Sequence, residues 1–464
     1  MGTKECKTGY FSSSGLSASM ARNLTGMVGL TLLLTLGCSS GMDEGSSAGP
    51  GGSGGQGGGE GGSGGEGGSG GQGGSAGEKT VLRVPLYPYI PDAAGDKLVA
   101  MALRIEAEFE AAHSGIDLVV NPPCFAGDFY DPASLSAGLA AEDADCSVDV
   151  IETDMTLLGE LVATGAIRPW EALPPADWHP AGVAASTYNG EIYGVPHWLC
   201  GHFTFSRDTA VESADTATEL ASALVDLHTD APDMAGNLLG SWNLPALYLD
   251  AWADTNGPDG VASAISTTMY DAATLDALRI FSRTCESGGS NPCLDGTYDL
   301  EENFDLPAQR FAAGEVDATF GYSERLHAIV KNLPPDGDPA EIKISSAPLG
   351  DGNHPLLFTD SFVVSGRCTG ACAEAAAAFV AYMSSASTFA WILASEDAPQ
   401  ETRVPRYLLA ATLDAYGAPT IREEPFYQAL NALTQEGMSF PNSGLLDVRN
   451  EMRDDILATL TAAP

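Results

Sequence analysis

Two α/β lobes around a cleft are the architecture the sequence predicts for residues 79–464, on three observations. Short apolar runs alternate with helical patterns in a β-α-β rhythm, which favours sheets covered by helices. No second Gly/Ser-rich linker interrupts the block, so both lobes belong to one folded unit. A long apolar run, Pro355–Ser365, reads as a strand that crosses back late in the chain. In order, Thr80–Tyr87 (TVLRVPLY) reads as a strand, about Asp96 to His113 as a helix, and Ile116–Val120 as a second strand. Asp149–Glu152 (DVIE) is a third strand, and Met155–Thr164 a helix stopped by Gly165. Asn189-Gly190 makes a tight hairpin that feeds an extended stretch carrying Cys200, after which Phe203 and Phe205 alternate with polar residues. Ala318–Gly321 precedes a helix from about Ser323, and Ala-rich helices fill Ala371–Met383 and the C-terminal region. A parallel sheet is the economical arrangement for this rhythm, and the cleft between two such lobes is where a ligand binds.

Charge narrows the ligand. The chain has 464 residues, with 62 Asp plus Glu against 21 Lys plus Arg, a formal net charge of -41 that repels polyanions and argues against nucleic-acid binding. Charged residues are only 18% of the chain while aromatics reach 8%, so the acidity sits on a packed body and draws in small cations. The N-terminus reads as an export signal over residues 1–37, with Arg22 followed by an apolar run to Leu36-Gly37-Cys38. That ending resembles a bacterial lipobox, in which Cys38 is lipidated and is the only attachment to a membrane. From Ser39 to Glu78 the chain holds 21 of its 54 glycines and has nothing to bury, so residues 38–78 read as a lipidated cysteine and a flexible tether. Its random-coil span is roughly 35 Å. The expected location is exported: lipid-anchored on an outer membrane or cell surface, or secreted.

Of nine cysteines, seven remain once Cys6 is cleaved off and Cys38 is lipidated, in an oxidising setting where thiols pair. Three local bridges can be drawn: Cys124 with Cys146, Cys285 with Cys293, and Cys368 with Cys372, although six cysteines admit other pairings. Cys200 is left over. Such a thiol is either buried and inert or kept free for chemistry.

Asn189–Pro196 (NGEIYGVP), with DVIETD and LVATGAIRPWE upstream, is similar to the extracellular solute-binding proteins of ABC importers. Tyr87-Pro88-Tyr89-Ile90-Pro91-Asp92, Leu199-Cys200, Gly321-Tyr322-Ser323-Glu324 and Pro355–Asp360 (PLLFTD) then occur in order, and the set resembles thiaminase I (thiamine pyridinylase) over essentially all of residues 79–464. The resemblance implies a two-lobed, type II periplasmic-binding-protein-like fold and a monomer. It implies a nucleophile at Cys200, a general base at Glu324, and an aminopyrimidine held by Tyr87, Tyr130, Asp154, Tyr322 and Asp360. The implied reaction replaces the thiazole of thiamine by an amine or thiol co-substrate through a covalent cysteine intermediate, without metal or organic cofactor. One departure is Phe358, where the family pattern has a tyrosine.

The chemistry suits the residues. A thiol of pKa about 8.5 is mostly protonated at neutral pH, so a base must take its proton, and carboxylates crowded into a cleft raise one another's pKa toward that task. Acidic and aromatic walls attract a thiazolium by charge and by cation-π contact. Taken singly, Glu324 is an ordinary helix-start acid, Asp360 a turn residue, the tyrosines core edges, and His197 and His202 structural residues. Asp254–Gly260 lacks the ligand spacing of a calcium loop and reads as a turn, and the histidines show no metal spacing. Two functions follow: the transferase, and a lipoprotein that only binds thiamine or another small cation for an importer.

Overall fold

The computed structural model describes residues 79–462, apart from 124, 126, 143–145, 228–233, 241 and 301–302. The signal, the lipidated Cys38 and the tether therefore lie outside the described residues. The principal elements are β1 (Thr80–Val84), α1 (Val99–Ala112), β2 (Ile116–Val120), β3 (Val150–Asp154), α2 (Leu158–Thr164), β4 (Gly194–Cys200), β5 (His202–Ser206), α3 (Asn243–Asn256), β6 (Ala318–Tyr322), α4 (Arg325–Lys331), β7 (Lys343–Ser346), β8 (Leu356–Ser365) and α5 (Ala371–Met383).

Two sheets carry the two lobes. In the first, β8 lies between β4 and β3, antiparallel to both, and all ten of its residues are buried, as in a strand covered on both faces. The parallel pair β1–β2 adjoins β3, where Asp149 N donates to Arg83 O at 3.0 Å and Glu152 N to Pro85 O at 3.1 Å. In the second sheet, β5 is the centre, antiparallel to β6 on one side and β7 on the other. The sheets are thus mixed, whereas the β-α-β rhythm predicts parallel ones. The reason is topological. β3 and β4 run toward the cleft and end there, but β8 arrives from the other lobe and so enters the first sheet from the cleft end, in the opposite sense.

Strands β4 and β5 are one extended run broken at Gly201, the first half in one sheet and the second in the other. A Cβ at Gly201 would lie 2.9 Å from Leu357 Cδ2, so any larger residue at the break would have to displace the tip of that leucine on the crossing strand β8. The preceding hairpin turns at Asn189 and Gly190, both with positive φ (51° and 83°), as a type I′ turn demands. Helix boundaries move by a few residues from the sequence reading: Pro85 cannot donate to a ladder, Lys97 and Leu98 are left-handed (both φ 63°), and α1 starts only at Val99. Met155–Leu157 is a 3₁₀ turn leading into α2, which ends on Gly165 at φ 70°.

The buried helix α3 ties the crossings together. Asp250, 3% exposed, accepts from His202 Nδ1 at 2.7 Å and from Leu356 N at 3.1 Å, joining the first residue of β5 to the first of β8. Asp254 accepts from Leu349 N, Gly350 N and His354 N at 2.9, 3.2 and 2.6 Å. It pins the segment that leads into β8, so the stretch resembling a calcium loop is structural. Disulfides join Cys285 to Cys293 and Cys368 to Cys372. Cys146 is also disulfide-bonded, while Cys124 lies outside the described residues. Cys200 is free.

Candidate functional site

Strand ends build the site. Tyr87 follows β1, Asp154 closes β3, Cys200 closes β4, and Phe358 and Asp360 lie two apart near the start of β8, hence on one face. The register sets Asp360 opposite Asp154 and Phe358 opposite Cys200, which brings two carboxylates and a thiol onto one patch of sheet. From the second lobe come Tyr322, the last residue of β6, and Glu324, the residue before α4. All seven residues singled out by the sequence, Tyr87, Tyr130, Asp154, Cys200, Tyr322, Glu324 and Asp360, line one cavity of about 300 Å³.

Aromatic rings make most of its wall. Tyr87 and Tyr130 are hydroxyl-bonded to each other, Tyr89 lies edge-on to Tyr87 at 5.3 Å between ring centres, and Trp242 lies 5.2 Å from Tyr130. Phe358 is stacked on Phe440 at 4.1 Å and is edge-on to Tyr322. His202 stacks on Tyr322 at 4.8 Å while bound to Asp250, so its part is to hold that ring. His197 is paired with Glu152 behind the wall, and Glu152 also accepts from Tyr87 N at 3.0 Å, fixing the tyrosine loop.

Desolvation governs the electrostatics. Burial pushes Asp154 up to about 6 against the pull of the Thr156 N–H, 2.8 Å away. Burial and then the neighbouring Asp154 push Asp360 well above the carboxylate range. Burial also raises Glu324, opposed by Arg325, whose guanidinium lies 3.4 Å from Oε1; Glu324 Oε2 has no hydrogen-bond partner among the described residues. The Cys200 thiol is driven well up by burial, then by Asp360, Glu324 and Asp154. The same burial holds the Tyr87, Tyr130 and Tyr322 hydroxyls neutral, as donors. A cavity with three carboxyls, one guanidinium and a ring of aromatics suits a flat cationic ligand, whose charge would offset the carboxylates.

Sequence reasoning missed the lining residues Trp242, Asn243, Arg325, Leu408 and Leu445. Arg325 alone carried a signal, being adjacent to Glu324. The others reach the cleft through long-range packing.

Comparison with known proteins bears on the fold and the family. Thiaminase-1 of Paenibacillus thiaminolyticus is 27% identical over 369 residues, 75% of this chain and 80% of that protein. Clostridium botulinum thiaminase I, solved in complex with thiamin, superposes with a TM-score of 0.64 at 17% identity, covering 82% of this chain and 98% of that one. The maltose-maltodextrin binding protein of Alicyclobacillus acidocaldarius superposes at 0.52 with 16% identity, covering 82% of this chain and 100% of that one. The fold is accordingly the two-lobed type II periplasmic-binding fold, and the chain resembles thiaminase I on that scaffold. With the model for bacterial extracellular solute-binding proteins matching residues 105–410, two sheets joined at Gly201 and a ligand-sized cleft between them, the chain belongs to the bacterial extracellular solute-binding protein family.

Proposed function

We propose that this exported protein degrades thiamine by base exchange, with Cys200 as nucleophile and Glu324 as general base. The observation that carries the reading is the single free thiol among the described residues, lining the same acidic, aromatic cavity as a carboxylate with an unpartnered oxygen. In the reading, Tyr87, Tyr130, Asp154, Tyr322 and Asp360 hold the aminopyrimidine. The Cys200 proton passes to Glu324, and sulfur bonds to a pyrimidine ring carbon. The bond from the methylene to the thiazolium nitrogen then breaks, and its electron pair leaves with a neutral thiazole. Glu324 releases the cysteine proton to solvent, an incoming amine or thiol bonds to the methylene carbon and passes its proton to Glu324, and the carbon–sulfur bond breaks with its electrons returning to Cys200 as the thiolate.

Burial and the neighbouring carboxyls hold the thiol up, and the substrate's own charge changes that. A cation about 4 Å from the sulfur, at the effective dielectric of a protein site, favours the thiolate by about 4 kcal/mol, close to 3 pH units. Thiolate formation is then coupled to occupancy by a cation, which spares the empty protein from oxidation. We further propose that residues 1–37 direct export, that Cys38 carries the lipid, and that residues 38–78 hold residues 79–464, as a monomer, clear of the membrane.

The second reading is a lipoprotein that only binds thiamine or another small cationic solute for an importer. Family membership and a thiol pushed up by burial and by its neighbouring carboxyls favour it. Mass spectrometry of products separates the two: the purified chain is incubated with thiamine and an aromatic amine, beside a Cys200→Ser variant. A pyrimidine–amine adduct plus free thiazole from the wild type alone supports the transferase. Intact thiamine in both, with tight binding by calorimetry, leaves the binding protein.

A further inference from the structure

Residues 405–408 bind three of the elements that build the cleft. Pro405 O accepts from His327 Nδ1 at 3.0 Å, which fastens the segment to α4, the helix that begins after Glu324. Arg406 is fully buried. Its Nη1 and Nη2 donate to Asp397 Oδ1 and Oδ2, both at 2.7 Å, and Nη1 also donates to Ile392 O at 2.8 Å. Its Nε donates to Pro91 O at 3.0 Å. Pro91 ends the loop after β1 whose Tyr87, Tyr89 and Ile90 line the cavity. That loop is therefore held at both ends, by Glu152 at Tyr87 N and by Arg406 at Pro91 O. Tyr407 has φ 54°, a left-handed backbone unfavourable for a bulky side chain, which persists only where the surroundings over-determine it. Its N–H donates to Tyr427 Oη at 2.8 Å, and that hydroxyl donates to Leu393 O at 2.9 Å. The next residue, Leu408, lines the cavity, and Leu409 and Ala410 pair with Leu199 and Trp198 of β4, the strand that ends at Cys200.

We propose that Arg406 is a positioning residue for the thiamine site: Nε holds the tyrosine loop in place, and Asp397 holds the guanidinium in one orientation. The inference rests on the reading that thiamine occupies this cavity, and it assigns a role to a buried residue outside the cavity wall. A planar guanidinium takes both oxygens of Asp397 and still aims Nε at a third acceptor, whereas an ammonium is a point donor on a flexible stem and cannot. Losing the clamp frees the loop that carries Tyr87 and Tyr89. Glu324 is untouched by that loss, because α4 is tied to Pro405 through His327 and not through the guanidinium. The effect therefore falls on substrate binding rather than on the turnover of bound substrate.

The test measures thiamine affinity by calorimetry in full chains carrying Cys200→Ser, and KM and kcat with aniline as acceptor in chains that keep Cys200, with thermal melting of each. Arg406→Lys keeps the buried charge opposite Asp397, whereas Arg406→Met combined with Asp397→Leu removes both charges together, so that neither is left buried alone. Leu220→Ala, at a buried leucine of the helix Ala217–Leu227 that lines neither cavity nor clamp, controls for lost stability. Both clamp variants should bind thiamine about tenfold more weakly and show KM raised by a similar factor, with kcat within about threefold of wild type. Leu220→Ala should melt earlier with affinity and KM unchanged. Unchanged affinity in either clamp variant, an equal loss in Leu220→Ala, a fall in kcat without a change in KM, or clamp variants that both fail to fold would overturn the positioning role. Thiamine bound but never converted by the wild type would overturn the transferase and leave the role of Arg406 standing on the affinities. Thiamine neither bound nor converted would overturn both.

Discussion

Replacing Asp154 by Asn should make the ligand-free protein more stable at neutral pH and less able to hold a cation. Asp154 is 9% exposed, ends β3 opposite Asp360, and titrates at about 6 in the fold against 3.8 for an unperturbed carboxyl. Below 3.8 it is protonated in both states and contributes nothing to the pH dependence. Between 3.8 and about 6 the folded chain keeps a proton that the unfolded chain has lost, so stability falls as pH rises, and above 6 the full penalty is present. Two pH units at about 1.4 kcal/mol each give a penalty of roughly 3 kcal/mol at pH 7.5. The amide removes that penalty but weakens the bond to Thr156 N by about 1 kcal/mol, leaving a net gain of about 2 kcal/mol. For a folded unit of this size that is roughly 2 °C in thermal midpoint. Thermal midpoints of both chains from pH 3.5 to 7.5 isolate the site's term: carboxyls that do not interact with Asp154 cancel in the difference, while Asp360, relieved of its neighbour's charge, adds to the gain in the same direction. The variant should be no more stable than the wild type at pH 3.5 and should gain steadily to pH 7. A constant difference across the range, or a variant less stable at pH 7.5 than at 3.5 relative to wild type, would refute desolvation as the cause.

Three further outcomes follow from the same geometry. Glu324→Gln keeps the shape but cannot take a proton, so turnover should fall by about 10²–10⁴-fold, and the acidic limb of the wild-type rate profile, lying above 4.5 because burial raises Glu324, should disappear with it. Asp250→Ala should cost about 3–5 kcal/mol in urea unfolding, since it strips the acceptor from both His202 and Leu356 N, whereas Asp250→Asn should cost less. Cys200→Ser should bind thiamine with affinity close to wild type while product formation is lost, as read by calorimetry and mass spectrometry on one preparation.

The sequence by itself determined the element order and the identity of the reactive candidates. Apolar runs and their punctuation placed β1, β2, β3 and the late strand β8 within a few residues, because period and turn chemistry are local properties. Counting cysteines singled out Cys200 for the same reason: a surplus is legible without coordinates. Strand direction was not legible. β8 runs antiparallel to β3 and β4 because it returns from the other lobe, and no local pattern records where a strand has come from. Nor could spacing show that Asp360 faces Asp154, about two hundred residues away, or that Asp250 binds both crossings, since registers are set by sheet pairing and helix docking. The titration of the site belongs wholly to the tertiary structure: Asp154 and Glu324 are ordinary acids in the chain, and only burial in the cleft lifts their pKa values.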